Sequence, residues 1–233
     1  MAALAFAVAA TLLGRELSRY GQRRGDALTL AAAAAFGGLA GAKLYYLAEH
    51  VGDGSGAVSG SGFTWYGGVL GGAVAVLLAA RHLRIPIDVL LGSTAPALAI
   101  GYGIGRIGCQ LAGDGTYGVA SSLPWAMSYP RGVIPTTVAV HPTPVYETLA
   151  SLLIFALLWR LRRRIAPLNL FGLYLVLAGA ERFLVELIRR NDAVLLGLTQ
   201  PQLWAAGLAI AGGLMLTRGS RAPAQARPTT AAG

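Results

Sequence analysis

Seven apolar runs separated by short polar stretches organise this chain, over residues 2–13, 28–47, 63–80, 89–111, 145–161, 168–188 and 202–216. Most approach the ~20 residues that a helix needs to cross ~30 Å of hydrocarbon, and each is bounded by charges, Gly or Pro. The first is the shortest. With no basic residue ahead of it, it reads as an abbreviated first helix rather than a secretory signal peptide. The pattern predicts an all-α fold, a polytopic membrane bundle of about seven transmembrane helices. The connection over 112–144 is long for a compact bundle, and its Gly113-Asp114-Gly115 and Pro124-Trp125 elements favour ordered turns, so an outer-side loop subdomain is expected there.

Composition strengthens this reading. Only 12% of residues are charged, against about 25% in soluble domains, while 55% are hydrophobic and 32 are glycine. A water-soluble domain is thereby excluded. The formal charge of +9 would suggest nucleic acid in a soluble protein, but here the basic residues cluster between apolar runs, and no nucleic-acid partner is expected. Arg15, Arg19, Arg23 and Arg24 follow the first run, Arg81 and Arg84 the third, Arg160, Arg162, Arg163 and Arg164 the fifth, and Arg218, Arg221 and Arg227 the seventh. All fall on one side of the membrane. Lys43, Arg106, Arg131, Arg182, Arg189 and Arg190 sit towards the other. The positive-inside rule then places the N-terminus outside and the C-terminus in the cytoplasm. Residues 1–217 form the expected membrane domain and 218–233, rich in Pro, Ala, Thr and Arg, a disordered basic tail. One cysteine and three histidines leave no disulfide and little room for a metal cluster, so neither metal nor cofactor is expected.

Candidate chemistry concentrates in the fourth to sixth runs. Arg106 lies within the fourth, where an arginine costs about 2.5 kcal/mol or more near the bilayer centre, so it needs a partner or a wet cavity. Gripping a lipid phosphate through a planar guanidinium is one use; a snorkelling or salt-bridged structural arginine is the other. Arg182 and Glu186 are spaced i,i+4 on one face of the sixth run, either as an internal ion pair or as part of an anionic-headgroup site. In the segment His141-Pro-Thr-Pro-Val-Tyr146-Glu147, His141 has the intrinsic pKa of a general base, or is a hydrogen-bonded structural histidine. Cys109 reads as a small buried hydrophobe rather than a nucleophile. The pairs Gly37/Gly41, Gly67/Gly71, Gly68/Gly72 and Gly101/Gly105 read as helix-packing contacts.

Five motifs taken together resemble the prolipoprotein diacylglyceryl transferases: GGLAGAKLYY in the second run, WYGGVLGG in the third, GRIGCQLAGDGTYG in the fourth, HPTPVYE before the fifth and ERFLVELIR in the sixth. They occur in the family's order and cover most of the chain. The resemblance implies a multi-pass enzyme of the bacterial inner membrane. It would transfer the diacylglyceryl group of phosphatidylglycerol to the lipobox cysteine of a preprolipoprotein and release glycerol phosphate. Its partners would be that lipid, the lipobox segment and the bilayer, and a monomer is expected. Carried over by position, Arg106, Arg182 and Glu186 match catalytic residues. Gly67, Gly68, Cys109, Asp114, Gly118, Tyr146 and Glu147 fall where the family's lipid site is expected.

Three departures accompany the resemblance. Tyr66-Gly67-Gly68 replaces a His-Gly-Gly to which a catalytic role has been assigned, the loop GDGTYG is one residue longer than the family form, and the family's amphipathic N-terminal arm, with a functional tyrosine, has no counterpart in the sequence given. The first leaves the base to be chosen among Tyr66, His141 and Glu147. A phenol near pKa 10 is a poor base, and a carboxylate opening a helix is held in its charged form, so His141 ranks first with Tyr66 as an orienting group. Two rivals stand beside the transferase: a non-catalytic lipid-binding or transport paralogue on the same fold, and a small channel or carrier lined by Arg106, Arg182 and Glu186. The lack of internal repeats weighs against the last.

Overall fold

The computed structural model describes residues 1–50 and 65–218. Seven helices occur among them: α1 Ala2–Arg19, α2 Asp26–Glu49, α3 Trp65–His82, α4 Ile87–Ala112, α5 Thr143–Leu161, α6 Pro167–Glu186 and α7 Gln200–Arg218. Two short antiparallel hairpins interrupt them. Strands β1 Met127–Tyr129 and β2 Thr136–Val140 pair between α4 and α5, and β3 Ala193–Leu195 and β4 Leu198–Thr199 between α6 and α7. Helices α2, α4, α5 and α6 are long and apolar enough to cross a membrane, and α3 carries a shorter apolar stretch, Gly67–His82. The chain is an all-α, multi-pass membrane protein. Of the tail expected over 218–233, Arg218 ends α7 and 219–233 lie outside the described residues.

The first helix extends further than its apolar run. It continues to Arg19 because Glu16, though charged, is buried and ion-paired one turn away with Arg19, which removes the cost that would have ended it.

Two compact units divide the chain, Met1–Gly105 and Arg106–Gly233, the division falling inside α4. In the first, Leu13 and Leu17 of α1, Ala27 and Leu30 of α2, Ala80 of α3 and Val89, Leu90 and Ala97 of α4 form a buried core with Ile85. These positions are the end of α1, the start of α2, the end of α3 and the start of α4, as an up-and-down chain requires. Further along, α2 and α3 touch backbone to backbone. A Cβ on Gly41 would stand 2.7 Å from the Gly71 Cα and closer still to the Gly67 carbonyl, so only glycine permits this approach. Gly37 meets Gly71 in the same way, and Gly68 faces Gly38 and Ala42. Elsewhere on these helices Leu28, Phe36, Leu39, Leu44, Leu70 and Leu78 are exposed, an apolar surface suited to lipid.

In the second unit α6 packs on α7 through a small-residue seam. A Cβ on Gly172 would stand 2.9 Å from the Gly212 carbonyl, and one on Gly179 would stand 2.6 Å from that of Ala205. The 112–144 connection is ordered, as its turn residues predicted. Gly113 and Gly115 adopt positive φ, at 55° and 84°, and Gly113 also approaches Gly132 too closely for a side chain. Tyr117 stacks on Tyr129 with ring centroids 5.0 Å apart, its hydroxyl donates to the Ile134 carbonyl, and Arg190 lies 4.5 Å from the centroid of its ring.

Candidate active site

Glu147 sits in the first turns of α5 with its side chain fully buried. Three arginines converge on it: Arg106 of α4 at 3.3 Å, Arg182 of α6 at 3.3 Å, and Arg189, just beyond α6, at 3.5 Å. Arg182 also pairs with Glu186 at 2.8 Å, and Arg189 lies 3.8 Å from the same carboxylate. Residues 182 and 186 share one face of α6, and the turn that follows the helix brings Arg189 back to the same cluster. Among the described residues the ion-paired set joins three arginines to two glutamates, and the half-buried Glu181 carboxyl of α6 interacts electrostatically with Glu147 and with all three arginines. Burial, and after it the charge of Arg182, press the Arg189 pKa below its ordinary value.

The loop beside Arg106 is tied down by Asp114. Its Oδ1 accepts the Thr116 hydroxyl at 2.6 Å and the Thr116 amide at 3.2 Å. Partial burial alone would raise the Asp114 pKa, but these donors and the Arg106 charge outweigh it and hold the carboxyl below its usual range. Cys109, 3.9 Å from Arg106 Nη1, is thus a structural neighbour of the cluster.

Gly118 clasps three segments together. Its amide donates to the His141 carbonyl at 2.8 Å, the next amide donates to the Ile188 carbonyl at 2.9 Å, and a Cβ there would stand 3.0 Å from the His141 Cβ and 3.1 Å from Thr143 Cγ2. The clasp joins the loop, the entry to α5 and the segment after α6. The Thr143 hydroxyl adds a bond to the Thr116 carbonyl at 2.6 Å. A second polar group lies at the α5 entry, where His141 Nδ1 is 3.3 Å from the Tyr146 hydroxyl, which accepts the Trp125 indole N–H at 2.7 Å.

Of the residues singled out in the sequence, Arg106, Arg182, Glu186 and Glu147 meet directly, with Cys109 and Asp114 beside Arg106. His141 and Tyr146 form their own hydrogen-bonded group, and Gly118 joins the segments. Gly67 and Gly68 belong to the other unit, in α3 against α2. The side chain of Tyr66 lies outside the described residues. Glu147 takes the arginines as its partners, an anion organising the cations. Sequence reasoning missed Arg189, although its place three residues after Glu186 was a usable signal, and it missed Asn191 and Thr199. These two donate to Glu186 Oε1 at 2.6 and 2.9 Å. Among the described residues no cluster of metal-ligating side chains occurs.

A multi-pass membrane bundle with an intramembrane arginine cluster is thereby defined. The family model described as prolipoprotein diacylglyceryl transferase matches residues 1–218, and the chain belongs to that family. Relatives named phosphatidylglycerol–prolipoprotein diacylglyceryl transferase include one from Leptospira interrogans, 38% identical over 140 residues that cover 58% of this chain and 44% of the relative. The Clostridium tetani protein is 30% identical over 210 residues, 86% of this chain and 84% of the relative. The Mycobacterium tuberculosis protein is 33% identical over 218 residues, 81% and 46% respectively. The chain thus spans under half the length of the Leptospira and Mycobacterium relatives.

Proposed function

We propose that this protein transfers the diacylglyceryl group of phosphatidylglycerol to the lipobox cysteine thiol of a preprolipoprotein. The sulfur forms a C–S bond to the glyceryl carbon as the C–O bond to phosphate breaks, and glycerol phosphate leaves with the electron pair. The convergence of Arg106, Arg182 and Arg189 on one buried carboxylate is the observation that carries this reading. A phosphodiester bears one negative charge and its departing monoester approaches two, so Arg106 and Arg182 grip the leaving group more strongly in the transition state than in the ground state. Glu147 and Glu186 hold these guanidinium groups in place before the lipid arrives.

His141 is the proposed base. In the tautomer whose Nδ1–H donates to Tyr146, the Tyr146 oxygen accepts from both His141 and Trp125, and Nε2 is left to take the thiol proton. Tyr66, in place of the family's histidine, orients thiol or headgroup. The proposed setting is the bacterial inner membrane, as a monomer with N-terminus outside and C-terminus in the cytoplasm, supported by the arginine distribution. Residues 1–217 act as the membrane transferase domain.

Complementation tests the reading. In a strain depleted of its own diacylglyceryl transferase, the chain restores growth and lipoprotein modification, whereas Arg182→Lys, which loses the two-pronged guanidinium geometry, does not. A well-expressed wild-type chain that fails to restore modification would favour the non-catalytic lipid-binding reading.

A further inference from the structure

We infer that Thr199, the residue capping α7, is a positioning residue for Arg182 that acts through Glu186. Thr199, Gln202 and Glu186 are all buried. Thr199 and Gln202 form a capping box, the Thr199 amide donating to Gln202 Oε1 at 3.0 Å and the Gln202 amide donating to Thr199 Oγ1 at 3.4 Å. A hydroxyl has one proton, and with a lone pair of Oγ1 engaged by the Gln202 amide, that proton points to Glu186 Oε1, 2.9 Å away. Asn191 supplies a second donor to the same oxygen at 2.6 Å. Two donors on Oε1 fix the plane of the carboxylate and present Oε2 to Arg182 Nη2 at 2.8 Å. The other prong, Nη1, reaches Glu147 at 3.3 Å. The guanidinium is held as a fork between two carboxylates, one of them oriented from the N-terminus of the next helix.

The inference rests on the reading that Arg182 contacts the lipid phosphate. A threonine that only caps α7 would give the same fold without this coupling, so the test must separate the two roles. Dihexanoyl phosphatidylglycerol is titrated into the full chain in detergent micelles by calorimetry, and turnover on a lipobox peptide is recorded in parallel. Thr199→Val weakens lipid binding about tenfold, the loss of one hydrogen bond to a charged group, and Thr199→Ser stays within about twofold of wild type. Asn191→Ala leaves the cap intact and folds independently of it, yet weakens binding in the same direction. The double variant Thr199→Val/Glu186→Gln binds no more weakly than Glu186→Gln alone, because both act along one path. Wild-type binding by Thr199→Val and Asn191→Ala, or multiplying losses in the double variant, would overturn the inference. If these binding losses appear but no variant, nor the wild type, forms product, the transfer reading falls while the positioning role stands. If product forms and Thr199→Val binds as wild type does, the reverse holds.

Discussion

Glu147 is where three arginines from two helices and a connecting segment meet, and its neutralisation is the most informative single change. Glu147→Gln keeps the shape but leaves buried guanidinium groups short of one carboxylate, which should cost about 3–5 kcal/mol. Thermal unfolding in detergent reads this as a lower midpoint, and an unchanged midpoint would show that the cluster is not held by this anion. Gly118→Ala places a methyl against the Ile188 carbonyl and the His141 Cβ and should loosen the clasp. Limited proteolysis within residues 112–144 should quicken, and wild-type resistance would contradict the clasp. For the base, His141→Ala should lower turnover about 10²-fold or more while lipid binding changes little, with Tyr66→Phe milder and Tyr66→His tolerated. Near-normal turnover in His141→Ala, with loss in Tyr66→Phe, would transfer the role to Tyr66. Asp114 has a depressed folded pKa, so its anchoring of the loop is present above the ordinary carboxylate value of about 3.9 and is lost as pH falls through the folded value. Loop proteolysis should therefore be unaffected between neutral pH and about pH 5.

At the scale of elements, hydrophobic run length located the seven helices among the described residues, and four of them, α2, α4, α5 and α6, are apolar for a length that crosses a membrane. Their ends were less legible. The extension of α1 to Arg19 depends on an ion pair involving Glu16, and charge in a sequence marks an end more often than a continuation. The two hairpins were also invisible: β3 and β4 are three and two residues long, and their turn uses Leu196 at φ 51° followed by Gly197 at φ 74°, where leucine is an unusual choice. The glycine pairs of α2 and α3 were readable as packing, whereas the α6–α7 seam of Gly172, Gly179 and Gly212 was not, since its glycines do not repeat at four-residue spacing within a helix. Gly41→Leu tests the first seam. It should abolish the close approach of α2 and α3 and lower yield and thermal midpoint, and wild-type stability would contradict the contact.

At the scale of the whole molecule, Arg106 and Arg182 were legible as costly intramembrane charges at motif positions, but Arg189 and the partner common to all three were not. Spacing along one helix shows which residues share a face, as with Arg182 and Glu186; it cannot show that Glu147, 35 residues earlier, is what they face. Loop charge predicts an N-out, C-in orientation, and reporter fusions at Arg163 should report the cytoplasm, a periplasmic signal there reversing the orientation. We propose that this arginine cluster drives transfer of a diacylglyceryl group to a thiol. Its most direct measurement is mass spectrometry of a lipobox peptide incubated with the purified full chain and phosphatidylglycerol. One diacylglyceryl adduct on the cysteine, stoichiometric release of glycerol phosphate, and loss of both in Arg106→Lys and Arg182→Lys are expected. An unmodified peptide beside a chain that binds the lipid, or full activity in both lysine variants, would contradict it.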